Sequence, residues 1–365
     1  MGTTSSFFGG GGGSPLPEPE WVFQKSSYTY TFPYNGVVLV HVIGAGGSGG
    51  VQTSDYLTTG GGAGGYSRKQ FTVTSSTTAT ITTGVGGKSV GSGSSQDNGI
   101  DGTNTTFVLS STTLTANGGG GGLRYPGPNA FAAGGTASGG DVNYQGGRSG
   151  KNYAQYNNQY RFATGGGAVN LFGLTTEAVG GGDITNACQK SATGGGGTGG
   201  KGGNIGCTAQ YHASGGGGAS GPAKEIENGP NGEARTSAGG SGGARLFLFN
   251  GSLLDGVGGR GLVTDLNTST GRSEIPSFGT IGMGAGSGGM SQANGGGGYG
   301  SDLQPPTAGL FGGGGGTVCD GRGGHGSHAS LGGGGGGCVS ASNTPRRESG
   351  AGGDGVVIIE YIERT

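Results

Sequence analysis

Few residues in this chain have chemistry to offer, and they are scattered. His325 and His328 form a His-x-x-His pair with Cys319 and Asp320 nearby in sequence, which are residue types that can hold a metal ion. The pair sits in a glycine-rich loop, where nothing local fixes the spacing of its ligands, so solvated histidines are expected rather than a metal site. Gly86-Gly87-Lys88-Ser89 ends like a phosphate-binding loop, but Thr82 stands where that loop needs its first glycine. Gly46-Gly47-Ser48-Gly49-Gly50 has the spacing of a nucleophile elbow, yet no helical pattern follows it. His41 lies inside an apolar run and reads as a packed core histidine. No carboxylate pair stands out. The chain is therefore expected to be a binding or structural protein, with no enzymatic activity and no cofactor.

Four cysteines remain: Cys188, Cys207, Cys319 and Cys338. Four free thiols are one expectation, because no secretion signal precedes them. If they oxidise, the pairing expected is Cys188 with Cys207 and Cys319 with Cys338, which closes two equal loops.

Binding chemistry is better represented in the loops. Arg124, Tyr125 and Phe131 fall between two glycine runs. Tyr144, Tyr153, Tyr156, Tyr160, Arg161 and Phe162 fall between the next two, among Asn and Gln. Tyr with Asn, Ser and Gly is the make-up of adaptable binding loops, and Arg is a frequent hot-spot partner. These nine residues are the candidate receptor contacts. Near the N-terminus, Phe7 and Phe8 precede Gly9 to Gly13 and a proline-spaced stretch. Residues 1–20 read either as an unstructured terminus or as an arm that docks a partner through the two phenylalanines.

What must position these loops is unusual. Of 365 residues, 101 are glycine, and they come in runs rather than at every third position, which excludes collagen. A net charge of -1 excludes a protein that binds nucleic acid by neutralising phosphates. No apolar run approaches the ~20 residues that cross a bilayer as a helix, so no membrane insertion is expected. No segment keeps a helical period. Residues 21–116 instead alternate as short strands, among them Tyr28 to Phe32, Val37 to Ile43, Tyr66 to Val73 and a hairpin over Ser110-Ser111. Val356 to Ile362 repeats the make-up of Val37 to Ile43. Each reads as a central strand buried on both faces, and neither has a like neighbour in sequence. They are expected to share one sandwich, built from residues 21–116 and 354–365, with residues 117–353 inserted before its last strand. Within the insert, residues 244–254 read as a hairpin turning at Asn250-Gly251.

The glycine runs are expected to be ordered. Fixing a residue costs roughly 1–2 kcal/mol, which one glycine strand cannot offset. Several strands in polyproline II geometry can, because glycine keeps the N–H that proline lacks and can bond to neighbours on all sides. Absence of Cβ permits the close approach. The fold expected is all-β: a jelly-roll-like sandwich carrying a polyglycine II bundle, with almost no α-helix.

Several stretches carry a resemblance: VVLVHVIGAGGSGG (37–50), GGGAGGYSRKQFTV (60–73), residues 79–87, TTFVLSSTTLTANGGGGG (105–122) and GAGGDGVVIIEYI (350–362). They resemble the glycine-rich domains of bacteriophage tail-fibre and tail-tip proteins, and a region of certain receptor tyrosine kinases. The kinases carry a leader and a membrane helix, which favours the phage group. The resemblance implies a virion tail protein made in the host cytoplasm. Its partners would be other tail proteins and a host surface receptor, a protein or a glycan, and trimerisation is expected by analogy. The alternatives are a decoration protein whose bundle is only a spacer, and an extracellular glycine-rich structural protein.

Overall fold

The computed structural model describes residues 20–22, 27–53, 57–91, 97–124, 127, 129–152, 161–185, 190–206, 211–214, 216–218, 221–223, 235–236, 246–247, 253–254, 262–265, 286–287, 290–293, 308–319, 325–340 and 348–364. Every regular element among them is a strand. Two antiparallel five-stranded sheets form the sandwich. The first has the order β1 (Glu20–Val22), β22 (Val356–Arg364), β3 (Gly36–Ile43), β6 (Tyr66–Val73), β11 (Val142–Tyr144). The second runs β10 (Ala137–Ser138), β9 (Thr112–Ala116), β8 (Thr105–Leu109), β7 (Thr78–Thr82), β2 (Tyr28–Thr31). The two apolar runs at opposite ends of the sequence are direct neighbours, with Val356 opposite Ile43 and Ile359 opposite Val40. Inward-facing Val38, Val40, Val42, Ile81, Phe107 and Leu114 fill the space between the sheets and are fully buried. The three β3 valines alternate, as the two-residue period of a strand requires.

Beyond the sandwich, its strands continue as extended glycine rods. The rod after β3 shows how these pack. Gly44, Gly47 and Gly50 donate to the carbonyls of Gly65, Gly62 and Thr59. Ala45, Ser48 and Val51 donate to Thr103, Ile100 and Asp97, while Gly46 and Gly49 donate to Gly353 and Gly350. Each third residue thus returns to the same neighbour, which is the threefold screw of polyglycine II. The same rod accepts bonds from Gly119 and Gly122, from Gly335 and Cys338, and from Gly87. Six rods therefore surround it. The lattice takes in runs from within residues 21–116 as well as from the stretch expected to be an insert. Physically, a strand that leaves the sandwich needs new partners at once, and its neighbours in the sheet leave beside it.

The far ends of the rods form two parallel sheets. One has the order β15 (Arg235–Thr236), β14 (Tyr211–Ala213), β13 (Lys190–Ala192), β12 (Arg161–Ala163), β5 (Leu57–Thr58); the other runs β18 (Leu262–Asp265), β19 (Met290–Ala293), β20 (Thr317–Cys319), β21 (Cys338–Ser340), β4 (Val51–Thr53). Their parallel sense follows from the rods. β5, β12, β13 and β14 each lead into a rod that runs toward the sandwich, whereas β4, β20 and β21 each end one running away. Ala163 and Ala192 of the first sheet meet Val318 and Val339 of the second. β16 (Leu246–Phe247) pairs antiparallel with β17 (Leu253–Leu254), a sheet of its own, and the turn expected at Asn250-Gly251 lies outside the described residues.

Candidate functional site

The rods carry almost no charge, so a charged residue inside one needs partners. Arg148 lies in the rod after β11 and is 3% exposed. Its guanidinium grips Asp183 with two parallel bonds of 2.9 Å and donates to the Ser149 carbonyl at 2.7 Å. Lys201, from another rod, reaches Asp183 Oδ2 at 2.6 Å and Glu177 Oε1 at 3.1 Å. Glu177 also lies 3.2 Å from Arg148. The Lys151 backbone N–H completes the shell by donating to Asp183 Oδ1 at 2.7 Å. Two cations and two carboxylates close on one another and tie three rods together. Burial pushes the Asp183 carboxyl up, but Arg148 and Lys201 together outweigh it and hold it below its ordinary value. Lys201 in the same way holds Glu177 down.

A pH dependence follows from these directions. A carboxyl whose folded pKa is depressed adds stability above its unfolded value and loses it as pH falls through the folded one. The thermal midpoint is expected to fall as pH drops below the ordinary carboxylate range of about 4, and Asp183→Asn should flatten that slope.

The network sits beneath an exposed loop. The backbone N–H of Arg148 donates to the Thr176 carbonyl at 3.1 Å, which holds the segment after Asn170 against the rod. Asn170 closes that segment as a turn. Its amide donates to the Leu174 carbonyl at 2.6 Å, and its Oδ1 accepts from the Leu174 N–H at 3.0 Å. Gly173 turns at φ +72°, a conformation that favours glycine, and a Cβ there would lie 2.8 Å from Cζ of Tyr144. The two residues flanking Gly173 project outward: Phe172 is 46% exposed and Leu174 39%. Phe131 is also exposed, at 40%, with its ring 5.3 Å from the Arg148 guanidinium and 5.4 Å from the Lys151 ammonium. Phe172 and Leu174 thus stand on a turn packed against Tyr144, and Phe131 stands over the ion network that the same segment enters through Glu177.

Of the nine candidate loop residues, Phe131 is exposed over the network, while Tyr144 ends strand β11 and is half-buried against the cluster around Tyr66. Arg124 is exposed elsewhere, its backbone N–H held by Asn98 Oδ1 at 2.9 Å. Phe162 is a correction. It is the middle residue of β12, 1% exposed, and packs with Leu57, Ile184 and Ile205, so it is withdrawn from any partner. Pairing of β12 between β5 and β13 turns it inward. The backbone of Arg161 belongs to the same strand. Tyr125, Tyr153, Tyr156, Tyr160, Phe7, Phe8, Cys188 and Cys207 lie outside the described residues. Sequence reading missed Phe172, Leu174 and Arg148. Two apolar residues around a glycine, next to an Asn and two Thr, are the available signal for the first two.

Among the described residues no cluster of three or more His, Cys, Asp or Glu could hold a metal ion. His325 Nδ1 lies 3.9 Å from Glu348, and His328 Nδ1 accepts the Ala351 N–H at 2.9 Å. The parallel register sets Cys338 opposite Thr317 and Cys319 opposite Ser340. Two residues out of register on adjacent strands puts the Cα atoms about 8 Å apart, beyond a disulfide's reach of about 7 Å, so the Cys319–Cys338 pairing fails. His41 is buried, as a core histidine should be. Among the described residues no helix is long and apolar enough to cross a membrane.

Sandwich and rods define a class of protein: an all-β chain whose sheet strands run on into a hydrogen-bonded glycine lattice. Residues 23–264 match a family model described as a glycine-rich domain, well over half of the chain, and the protein belongs to that glycine-rich domain family. No curated protein matches the chain.

Proposed function

We propose that the chain is a structural protein of a bacteriophage tail, a tail-fibre or tail-tip adhesin that binds a host-surface receptor. Its N-terminal part attaches to the tail, and loops between the glycine rods touch the receptor. The observation that supports this reading most directly is the tip at Phe172 and Leu174. It exposes apolar side chains on a turn locked by Asn170 and seated on a buried ion network, which is the preorganisation a binding loop needs. The resemblance of residues 37–50 and 350–362 to phage tail proteins supplies the biological setting.

Labelled protein should decorate host cells, and Phe172→Ser with Leu174→Ser should cut that binding about tenfold or more while the thermal midpoint stays put. Antibodies against the chain should label virion tails and slow adsorption. Full binding by the double variant would remove the tip from the interface. Absence of the chain from tails would sink the adhesin reading as a whole.

A further inference from the structure

Beneath the tip, a line of aromatic contacts leads back to a titratable group. Tyr144, against which Gly173 turns, stacks on Tyr66 with ring centroids 6.0 Å apart and planes at 21°. The Tyr66 hydroxyl lies 2.7 Å from Nδ1 of His41, which is fully buried in β3. His41 Nε2 faces Glu360 of β22 at 3.8 Å. Arg68 of β6 is its register partner on the other side. Around Tyr66, the residues that cover this face of the sheet are apolar: Val169, Leu171, Leu310, Phe311 and Leu331. The charged and titratable groups facing His41 from the packed elements are therefore Glu360, Arg68, Tyr66 and, behind it, Tyr144.

We propose that His41 is a proton-operated positioning residue for the tip: charging it displaces Tyr66 and Tyr144 and so resets the Gly173 turn that presents Phe172 and Leu174. This rests on the reading of the tip as the binding surface. The geometry supplies the coupling. With the imidazole proton on Nε2, toward Glu360, Nδ1 accepts from the Tyr66 hydroxyl. A second proton makes Nδ1 a donor, and the two groups then face each other with a hydrogen each. Tyr66 cannot relieve this by ionising, because burial pushes its phenol up to about 12. The hydroxyl can accept from the charged ring only by turning its own hydrogen away, and Arg68, which also hydrogen-bonds it, opposes that turn, so the ring shifts, with Tyr144 stacked on it.

Burial lowers the pKa of His41 more than Glu360 raises it, so the neutral form belongs to the native state and charging occurs below the ordinary value of about 6.5. The sign is that of a depressed group: the native tip is favoured above that value and lost as pH falls through the folded pKa.

A full-length Trp21→Phe, Phe172→Trp variant, whose one tryptophan stands at the tip, is followed from pH 8 to 4, and its emission maximum is expected to shift once, with a midpoint below about 6.5. Adding Tyr66→Phe, which keeps the ring but removes the hydroxyl, should abolish the shift, and His41→Gln should do the same. If His41→Gln fails to fold, Tyr66→Phe decides. No shift with His41 intact, or a shift that survives Tyr66→Phe, would overturn the proposal. The emission readout needs no receptor. A tip that moves with pH on a protein that binds no host cell would count against the adhesin reading alone.

Discussion

Asp183→Ala is expected to destabilise the protein by about 3–5 kcal/mol, the cost of removing one partner from a buried ion pair. Arg148 is 3% exposed and would keep its charge with no carboxylate gripping it. Glu177 cannot take over, because it is exposed and approaches through a single oxygen at 3.2 Å. Lys201 would lose its shorter contact as well. Replacing both ends, as in Arg148→Met with Asp183→Leu, should recover most of the loss, because the penalty comes from the uncompensated charge rather than from the missing pair. Denaturant unfolding of Arg148→Met, of Asp183→Leu and of the double variant measures the coupling directly. A single Asp183→Ala loss below about 1 kcal/mol, the range of exposed pairs, would mean the network is effectively solvated.

The second large effect separates three consecutive glycines. Gly119→Ala and Gly121→Ala are each expected to cost about 3 kcal/mol or more, whereas Gly120→Ala between them should be neutral within about 0.5 kcal/mol. A Cβ on Gly119 would fall on the Gly62 carbonyl, and one on Gly121 on the Gly99 carbonyl. Those carbonyls belong to other rods whose own bonds hold them in place, so the clash has no soft direction to relax into. A Cβ on Gly120 meets nothing nearer than Ala133 O at 3.4 Å. The three residues are indistinguishable in sequence. Their difference tests whether each rod is packed on a definite set of neighbours, as the three-residue hydrogen-bond period requires. Thermal unfolding of the three variants reads it out, and equal losses would contradict the lattice.

The sandwich was the most legible part of the chain. Val37 to Ile43 and Val356 to Ile362 are mostly apolar and β-branched, broken only by His41 and by Glu360-Tyr361, a make-up that a central strand buries, and they do pair. Order in the glycine runs was legible for a similar reason, since lone glycine strands cannot offset their entropy. The extent of the lattice was not. A rod has no side chains to encode its partners, so the neighbours of Gly44 to Gly50 are set by where the strands of the sandwich hand their chains over. The tip was legible only in part. Composition marks Phe131, Tyr144 and Phe162 alike, because it cannot tell an exposed loop aromatic such as Phe131 from a strand aromatic such as the half-buried Tyr144 or the buried Phe162.

By itself, then, the sequence determined the all-β class, the two strands that close the sandwich and the ordering of the glycine runs. Each of these follows from local residue character: β-branching, turn chemistry and the missing Cβ. Only the tertiary structure decided which aromatics face outward, that Arg148, Asp183 and Lys201 meet, and that one glycine of three has room for a methyl group. All three depend on residues brought together across long stretches of chain, where the relevant quantity is distance in space, and a run of identical glycines carries no trace of it.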